Sequence, residues 1–165
     1  MISAKDTFYL VLRNRIAALN PARTMGLRGV TRPGVLVEEN ELATAEALPD
    51  VFRLRWTAVK LDTQGSMPLA TMTCEIRYAT AGNAGNGGMD RGRVLAQMDA
   101  ELRAALSTTP QHAPKQRYTA NSTQPTAMAT NIFWSDAVFG ATATDAERLE
   151  RTATVQVYSY EEAGE

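Results

Sequence analysis

Two segments of the chain place apolar residues three or four positions apart, which is the period of an amphipathic α-helix. The first stripe consists of Phe8, Leu12, Ile16 and Leu19, and Asn20-Pro21 ends it because proline disfavours helical geometry in the residue before it. The second stripe follows Asp90, a favourable N-cap residue, and consists of Val94, Leu95, Met98, Leu102 and Leu106. The spacing predicts helices over residues 4–19 and 91–107.

Other segments alternate apolar and polar residues with the period of a β-strand. Residues 51–61 place Phe52, Leu54, Trp56 and Ala58 on one face, and residues 71–78 place Met72, Cys74, Ile76 and Tyr78 on one face. A turn at Gln64-Gly65 predicts that these two strands form an antiparallel hairpin, with Arg53 and Arg55 near Glu75 and Arg77. Shorter strands are predicted at residues 35–37, 131–139 and 151–160.

Three remaining segments lack either period. Residues 20–34 contain Gly26, Gly29, Pro33 and Gly34 and are predicted to be a basic loop. Residues 81–89 form a Gly-rich loop, and residues 108–130 form a polar arm with three prolines. The predicted order is therefore α-β-β-β-α-β-β. This order favours a single α+β domain over residues 1–165, with two helices on one face of an antiparallel or mixed β-sheet.

Charge is distributed unevenly along a chain whose formal net charge is only −1. Residues 1–34 carry six positive side chains and one acid, whereas residues 35–50 carry five acids, including Glu38 and Glu39, and no positive residue. Residues 145–165 add six acids against two arginines. One interpretation is that these are solvated surfaces. The other is that a basic face of one copy meets an acidic face of the next, which would set the register of an assembly.

The composition also predicts a thin core. Leu, Ile, Val and Phe together make up 32 of the 165 residues, about 19%, which suggests that the domain shares burial with neighbouring subunits. The longest apolar run, residues 8–12, is far shorter than the roughly 20 residues that span a bilayer. No signal peptide is recognisable at the N-terminus and one cysteine is present, so we expect cytoplasmic synthesis and no membrane partner.

No constellation of catalytic residues is evident. The glycines of residues 81–89 match neither a dinucleotide-binding motif nor a P-loop, and Asp90 would repel a phosphate there. His112 has no acidic residue in the following twenty positions and is expected to be a surface histidine, while Cys74 is expected to be a small buried apolar residue. We therefore expect no enzyme activity, no cofactor and no metal site. A pI near 5.9 also disfavours sequence-specific DNA binding.

Four segments in this order resemble the tail terminator, or tail completion, proteins of tailed bacteriophages. They are TFYLVLRNRI at residues 7–16, RGRVLAQMDAEL at residues 91–102, Phe133-Trp134, and RTATVQVY at residues 151–158. The resemblance covers most of the chain in the order and length of its elements. It does not extend to the polar arm, which has no counterpart in the family.

The resemblance implies a structural virion protein of the tail or neck that is assembled in the host cytoplasm. Such a protein forms a hexameric ring, caps the tail tube, ends its polymerisation and presents a surface to head-completion proteins. Its partners would be the tube protein, in some phages a sheath protein, and genome DNA that passes through the lumen without sequence-specific binding. Alternative hypotheses are another head–tail joining or head-completion protein, or a small ligand-binding enzyme. Candidate subunit or partner contacts are Arg23, Arg28, Arg32, Arg91, Arg93, Glu38 and Glu39.

Overall fold

The computed structural model describes residues 1–41, 48–119 and 124–163. Its helices are α1 (Ile2–Leu19), α2 (Glu38–Glu41) and α3 (Arg91–Ser107), with a 3₁₀ turn at Ala84–Asn86. Its strands are β1 (Thr24–Leu27), β2 (Val30–Pro33), β3 (Val35–Val37), β4 (Phe52–Asp62), β5 (Leu69–Thr80), β6 (His112–Arg117), β7 (Thr126–Trp134), β8 (Val138–Phe139), β9 (Ala143–Asp145) and β10 (Arg148–Tyr160).

The strands form one mixed eight-stranded sheet and a separate two-stranded hairpin. The order across the large sheet is β3-β4-β5-β10-β7-β6, and β8 and β9 pair with β10 at the end where β7 has diverged. β3 runs parallel to β4, whereas β4, β5, β10, β7 and β6 are joined by antiparallel pairs. The predicted α+β class and the broad order of helices and strands are confirmed.

Both long helices pack on the same face of the sheet, as the sequence predicts. Phe8 and Leu12 of α1 and Met98 and Leu102 of α3 are almost fully buried, in one cluster with the inward side chains of β4, β5 and β10. Full burial of one such side chain contributes about 1.5–3 kcal/mol before the cost of ordering the chain is subtracted. The residues with helical periodicity therefore form the stripes that join helices to sheet.

The C-terminal end of α3 is held by side chains from two other elements. Arg15 of α1 donates hydrogen bonds to the carbonyl oxygens of Ala105 and Thr108 at 2.9 and 3.1 Å, and the Trp134 indole N–H donates to that of Leu106 at 3.0 Å. The Arg15 guanidinium also lies 5.0 Å from the Trp134 ring centre. Because the last carbonyls of a helix have no partners within it, these contacts fix α3 to α1 and the sheet.

The β4–β5 hairpin forms as predicted in its inner half. Arg55 lies opposite Glu75 and Arg53 lies opposite Arg77. Cys74 is fully buried on the apolar face, where burial raises the pKa of its thiol far above the ordinary value. A buried protonated thiol of this kind behaves as a small apolar side chain, as expected.

The prediction that Ala58 lies on the apolar face of β4 is wrong, because a β-bulge shifts the register between Trp56 and Ala58. An extra residue on one strand reverses the alternation beyond it. Ala58 therefore lies opposite Thr73, on the side away from the helices, while Val59 and Leu61 lie opposite Met72 and Ala70 on the helix side.

The predicted basic loop over residues 20–34 is instead largely the β1–β2 hairpin. Its register runs from Thr24 opposite Pro33 to Leu27 opposite Val30. The turn between the strands consists of Arg28 and Gly29, both with positive φ of 51° and 79°. Two-residue turns of this kind match the twist of antiparallel strands, although arginine is an unusual residue at such a position.

The polar arm over residues 108–130 is also more regular than predicted. It contains β6 and the beginning of β7, while residues 120–123 lie outside the described part of the chain. His112, expected at the surface, is half-buried in β6, and its ring lies 5.7 Å from that of Phe133. The predicted strand over 131–139 corresponds to the end of β7 and to β8, separated by residues 135–137.

Candidate interaction surfaces

The β1–β2 hairpin directly precedes the edge strand β3, and its Met25 packs in a small apolar cluster with Leu36 of that strand. Its tip residues Arg28, Val30 and Arg32 line a shallow hollow of about 350 Å³ together with Asn40 of α2, which follows β3 directly. Arg28 is exposed at the turn, Arg32 is half-buried, and Val30 is 61% exposed. In the sequence, this exposed valine lies between the two arginines.

Arg23, the third arginine of this segment, lies inside the molecule. Its Nε donates to Oε2 of Glu101 at 2.5 Å, and its Nη1 donates to the carbonyl oxygen of Asp50 at 2.9 Å. Burial alone would raise the pKa of Glu101, but hydrogen bonds from Arg23 and Asn20 outweigh it and hold this pKa below its usual value. Arg23 therefore joins β1 to α3 and is not a surface contact, contrary to its sequence-based placement.

Glu38 and Glu39, which directly follow the edge strand β3, both contact strand β4. Oε1 of Glu38 lies 3.6 Å from Nη1 of Arg53, and Oε1 of Glu39 accepts a hydrogen bond from the backbone N–H of Trp56 at 2.9 Å. Glu39 remains exposed, so its charge is open to a partner as well. Both acids have a local role that their sequence pattern does not indicate.

The Gly-rich loop is ordered by the carboxylate of Asp90. The side-chain and backbone N–H groups of Asn83 donate to it at 2.5 and 2.9 Å, and Nδ2 of Asn86 donates at 3.0 Å. These hydrogen bonds lower the pKa of Asp90 to about 2. Asp90 occupies the N-cap position of α3, as predicted, but its side chain binds the preceding loop and makes no cap hydrogen bond. The Gly-rich loop, which the sequence predicts to be irregular, also contains one 3₁₀ turn at Ala84–Asn86.

The two arginines at the start of α3 differ in their surroundings. Arg91 is half-buried and its Nη1 donates to the carbonyl oxygen of Glu147 at 2.6 Å, which ties α3 to the turn between β9 and β10. Arg93, two residues further along the helix, is exposed. The helix start is therefore connected to the opposite edge of the sheet from the β1–β2 hairpin.

That opposite edge carries an acidic hairpin. β9 pairs with Arg148, Leu149 and Glu150 of β10, on the side of β10 that faces away from β5. Asp145 and Glu147 are exposed at the connecting turn. Residues 143–150 contain three acids and one arginine, but Arg91 contacts the hairpin at Glu147, and Arg53, Arg77 and Arg151 line a hollow with Glu150.

A third surface is the outer hairpin segment, which we define as residues 57–67 of the β4–β5 hairpin. Every one of these residues is exposed, although six of them belong to β4. Val59, Leu61 and Met67 are 45%, 46% and 39% exposed. Since strands bury at least one face in most folded domains, a strand exposed on both faces with apolar side chains is typical of a segment that binds another chain.

A buried lysine in β6 holds the end of β10, a feature that sequence reasoning missed. Lys115 is fully buried, and its Nζ donates to the carbonyl oxygen of Tyr160 at 2.6 Å and lies 3.3 Å from Oε1 of Glu162. The Glu162 carboxylate also accepts hydrogen bonds from the backbone N–H groups of Ala129 and Thr130, each at 3.0 Å. Residues 161–163 are thereby fixed against β6 and β7.

A further hollow of about 380 Å³ is lined by Arg53, Arg77 and Arg151, and each of these arginines has an acidic partner within the chain: Glu38, Glu75 and Asp99 respectively. Within residues 1–41, 48–119 and 124–163, no group of three His, Cys, Asp or Glu side chains is placed to hold a metal ion. In the same part of the chain, no helix combines the length and apolarity needed to cross a membrane. No protein-family model matches the chain, and no curated protein matches it in sequence.

Proposed function

We propose that the chain is a structural protein of a bacteriophage tail, a tail terminator that forms a ring on the end of the tail tube, stops its polymerisation and offers a surface for head attachment. The outer hairpin segment is the observation that carries this proposal. It extends β4 past the cover of α1 and α3 and exposes Val59 and Leu61 on the helix side of the sheet. A subunit that assembles with others presents such a strand to its neighbour or to the tube.

Head-to-tail contacts between identical subunits generate a closed ring when the rotation between subunits closes, and a filament when it does not. The resemblance of the helices and the last strand to tail terminators favours the ring.

The test is assembly of tail tubes from purified tube subunit of the same phage, with and without this protein. We expect tubes of unlimited length in its absence and short tubes with one ring at an end in its presence, measured by electron microscopy. Light scattering should show the ring as a mass of about six chains of 17.9 kDa. Tubes that grow to the same length in both samples would overturn the proposal. A ring that binds head-completion proteins but leaves tube growth unchanged would favour another neck protein.

The outer hairpin segment supplies a matched pair of variants. Leu61→Asp places a charge on the helix side of β4 at an exposed position, so the fold is retained and capping is lost. Lys60→Asp makes a similar change on the opposite side of the same strand, where Lys60 lies opposite Thr71, and should leave capping intact. If the Leu61→Asp variant caps tubes as well as the wild type does, the outer hairpin segment is not the surface that caps the tube.

A further inference from the structure

Beyond the bulge, β4 has one edge that faces solvent. β3 pairs with β4 only as far as Leu54, and the carboxylate of Glu39 accepts the backbone N–H of Trp56 at 2.9 Å. In the described part of the chain, no strand and no side chain pairs with the backbone of residues 57–62 on that side. An unpaired strand edge of this kind is a template for pairing with another chain.

The opposite end of the sheet is closed in comparison. β6 is the last strand there, and the backbone N–H of Gln116 donates to the hydroxyl oxygen of Thr7 in α1 at 3.0 Å. Pro114 in the same strand has no backbone N–H to offer. Prolines and covering helices are common devices that prevent edge pairing, and residues 57–62 have neither of them.

The backbone groups at the free edge belong to Val59 and Leu61. The backbone N–H of Phe52 donates to the carbonyl oxygen of Gly34 at 2.9 Å, so before the bulge the even-numbered residues of β4 direct their backbone groups toward β3. The bulge reverses this alternation, so Lys60 directs its backbone groups toward β5 and its two neighbours direct theirs outward. The edge therefore offers backbone donors and acceptors together with two half-exposed apolar side chains.

Two copies of this edge match each other in one antiparallel register. When the pair is centred on Leu61, Leu61 of one copy lies opposite Leu61 of the other, and Lys60 lies opposite Asp62 once in each direction. Centring the pair on Lys60 or on Asp62 places like charges opposite each other. Centring it on Val59 leaves Lys60 opposite Ala58. The Leu61 register alone among these four joins both charges to opposite charges.

The charges of this edge are available to a second copy. Within the described residues Lys60 makes no ion pair, and its cross-strand neighbour on β5 is Thr71. Oδ1 of Asp62 accepts a backbone N–H of the following turn at 3.0 Å, which leaves Oδ2 for a partner. The next charged side chains on the same face of the hairpin, Arg55 and Glu75, lie opposite each other. The charge pattern at the hairpin end is therefore set by one lysine and one aspartate.

We propose that two copies of this chain pair through the free edges of β4, antiparallel and centred on Leu61, so that their sheets become continuous. This inference goes beyond the proposed function, because the pair forms in the absence of tube. It rests on that function in one respect: the same segment caps the tube, so a paired copy caps only after the pair opens. The contact is confined to the hairpin end, so it is weak and forms at high protein concentration.

Leu61→Cys tests the register directly. Directly opposite residues of a hydrogen-bonded antiparallel pair have Cα atoms about 5.5 Å apart, a distance that a disulfide spans. We expect this variant to form crosslinked pairs in air, seen on a non-reducing gel, while the native Cys74 is fully buried and does not compete. Val59→Cys is the control, because residue 59 lies opposite Thr63 in this register and should stay uncrosslinked. Absence of crosslinks at position 61, or equal crosslinking at position 59, overturns the proposal.

The competition with tube is tested with the same variant. Crosslinked Leu61→Cys should fail to cap tubes and should cap them after a reductant is added. Equal capping with and without reductant would overturn the competition.

A charge exchange gives an independent test, measured as mass by light scattering without tube. The mean mass of the wild type should double as the protein is concentrated. Lys60→Asp places acids opposite each other and Asp62→Lys places lysines opposite each other, so each variant alone should associate at least about tenfold more weakly. An equal mixture of the two variants should regain the doubling, because acids then lie opposite lysines in both directions. Circular dichroism identifies any variant that has unfolded.

The outcomes separate this inference from the proposed function. Both charge variants should cap tubes as the wild type does, since Val59 and Leu61 are unchanged. Single variants that associate as strongly as the wild type, or a mixture that does not associate, overturn the pairing while capping by the wild type stands. A wild type that doubles its mass but leaves tube growth unchanged overturns the proposed function and keeps the pairing.

Discussion

Arg23 and Glu101 form a buried two-pronged ion pair between the first β-hairpin and the middle of α3. Nε of Arg23 lies 2.5 Å from Oε2 of Glu101, and Nη2 lies 3.1 Å from Oε1. The two side chains are only 7% and 10% exposed, and the guanidinium also lies 5.5 Å from the Phe52 ring centre. A pair of parallel hydrogen bonds of this type fixes both the distance and the orientation of the two elements.

Loss of the Glu101 charge should destabilise the whole domain. Glu101→Gln leaves the Arg23 guanidinium buried without a countercharge, and we expect the free energy of unfolding to fall by about 3 kcal/mol. The measurement is urea denaturation followed by circular dichroism. Glu147→Gln, at an exposed acid, is the control and should change the free energy by less than about 0.5 kcal/mol. Equal stabilities of the two variants would show that the buried pair contributes nothing.

Two glycines of the Gly-rich loop differ in whether their surroundings and backbone conformation can accommodate a side chain. Gly82 has a φ of +75°, and a Cβ added there would lie 2.7 Å from Oδ1 of Asp90, whereas a Cβ at Gly85 would meet no atom within 4 Å. We expect Gly82→Ala to cost about 1–3 kcal/mol because it strains the backbone and displaces the Asp90 carboxylate. Gly85→Ala should be close to neutral. Thermal unfolding of both variants tests this, and equal melting temperatures would contradict it.

Glu162 should make the attachment of residues 161–163 sensitive to acid. Hydrogen bonds from the Thr130 hydroxyl and from the N–H groups of Ala129 and Thr130 lower its pKa to about 2 from the usual 4.5. Since the pKa is lower in the attached state, the contribution to stability is fully present above pH 4.5 and is lost as the pH falls toward 2. The protection factor of the Ala129 amide, which is its intrinsic exchange rate divided by its observed rate at the same pH, should therefore fall over this range.

Glu162→Gln provides the control for this pH dependence. The amide keeps an oxygen that accepts hydrogen bonds but does not titrate in this range, so the protection factor at Ala129 should fall less with acid in this variant than in the wild type. An identical acid response in both proteins would assign the effect to another group.

The helices and the inner sheet could be predicted because their sequence patterns are local and agree with their packing. The stripe from Phe8 to Ile16 faces the core, and the alternation around Cys74 places this residue on the buried face. The position of the turn at Gln64-Gly65 and the two-residue alternation of both strands are enough to predict that Arg55 lies near Glu75. In these segments, neighbouring residues in the sequence contain all the information that sets the face.

The segments that were predicted wrongly depend on distant residues. β6 contains Pro114 and Lys115 and has little apolar character, and Lys115 is buried only because Tyr160 and Glu162 provide oxygens from the end of the chain. Arg23 is charged and lies next to glycine-rich sequence, yet Glu101, 78 positions away, draws it into the interior. No local pattern identifies such partners, so exposed arginines and buried arginines have the same appearance in the sequence.

The bulge between Trp56 and Ala58 divides one hairpin into two regions that contribute differently to the core. Substitutions before the bulge change how well the domain folds, because Phe52 and Leu54 are fully buried there. Beyond it, Val59 and Leu61 are about half exposed, so substitutions there change the surface of the hairpin more than they change the core. The end of the hairpin can therefore be altered by substitution with little loss of thermal stability.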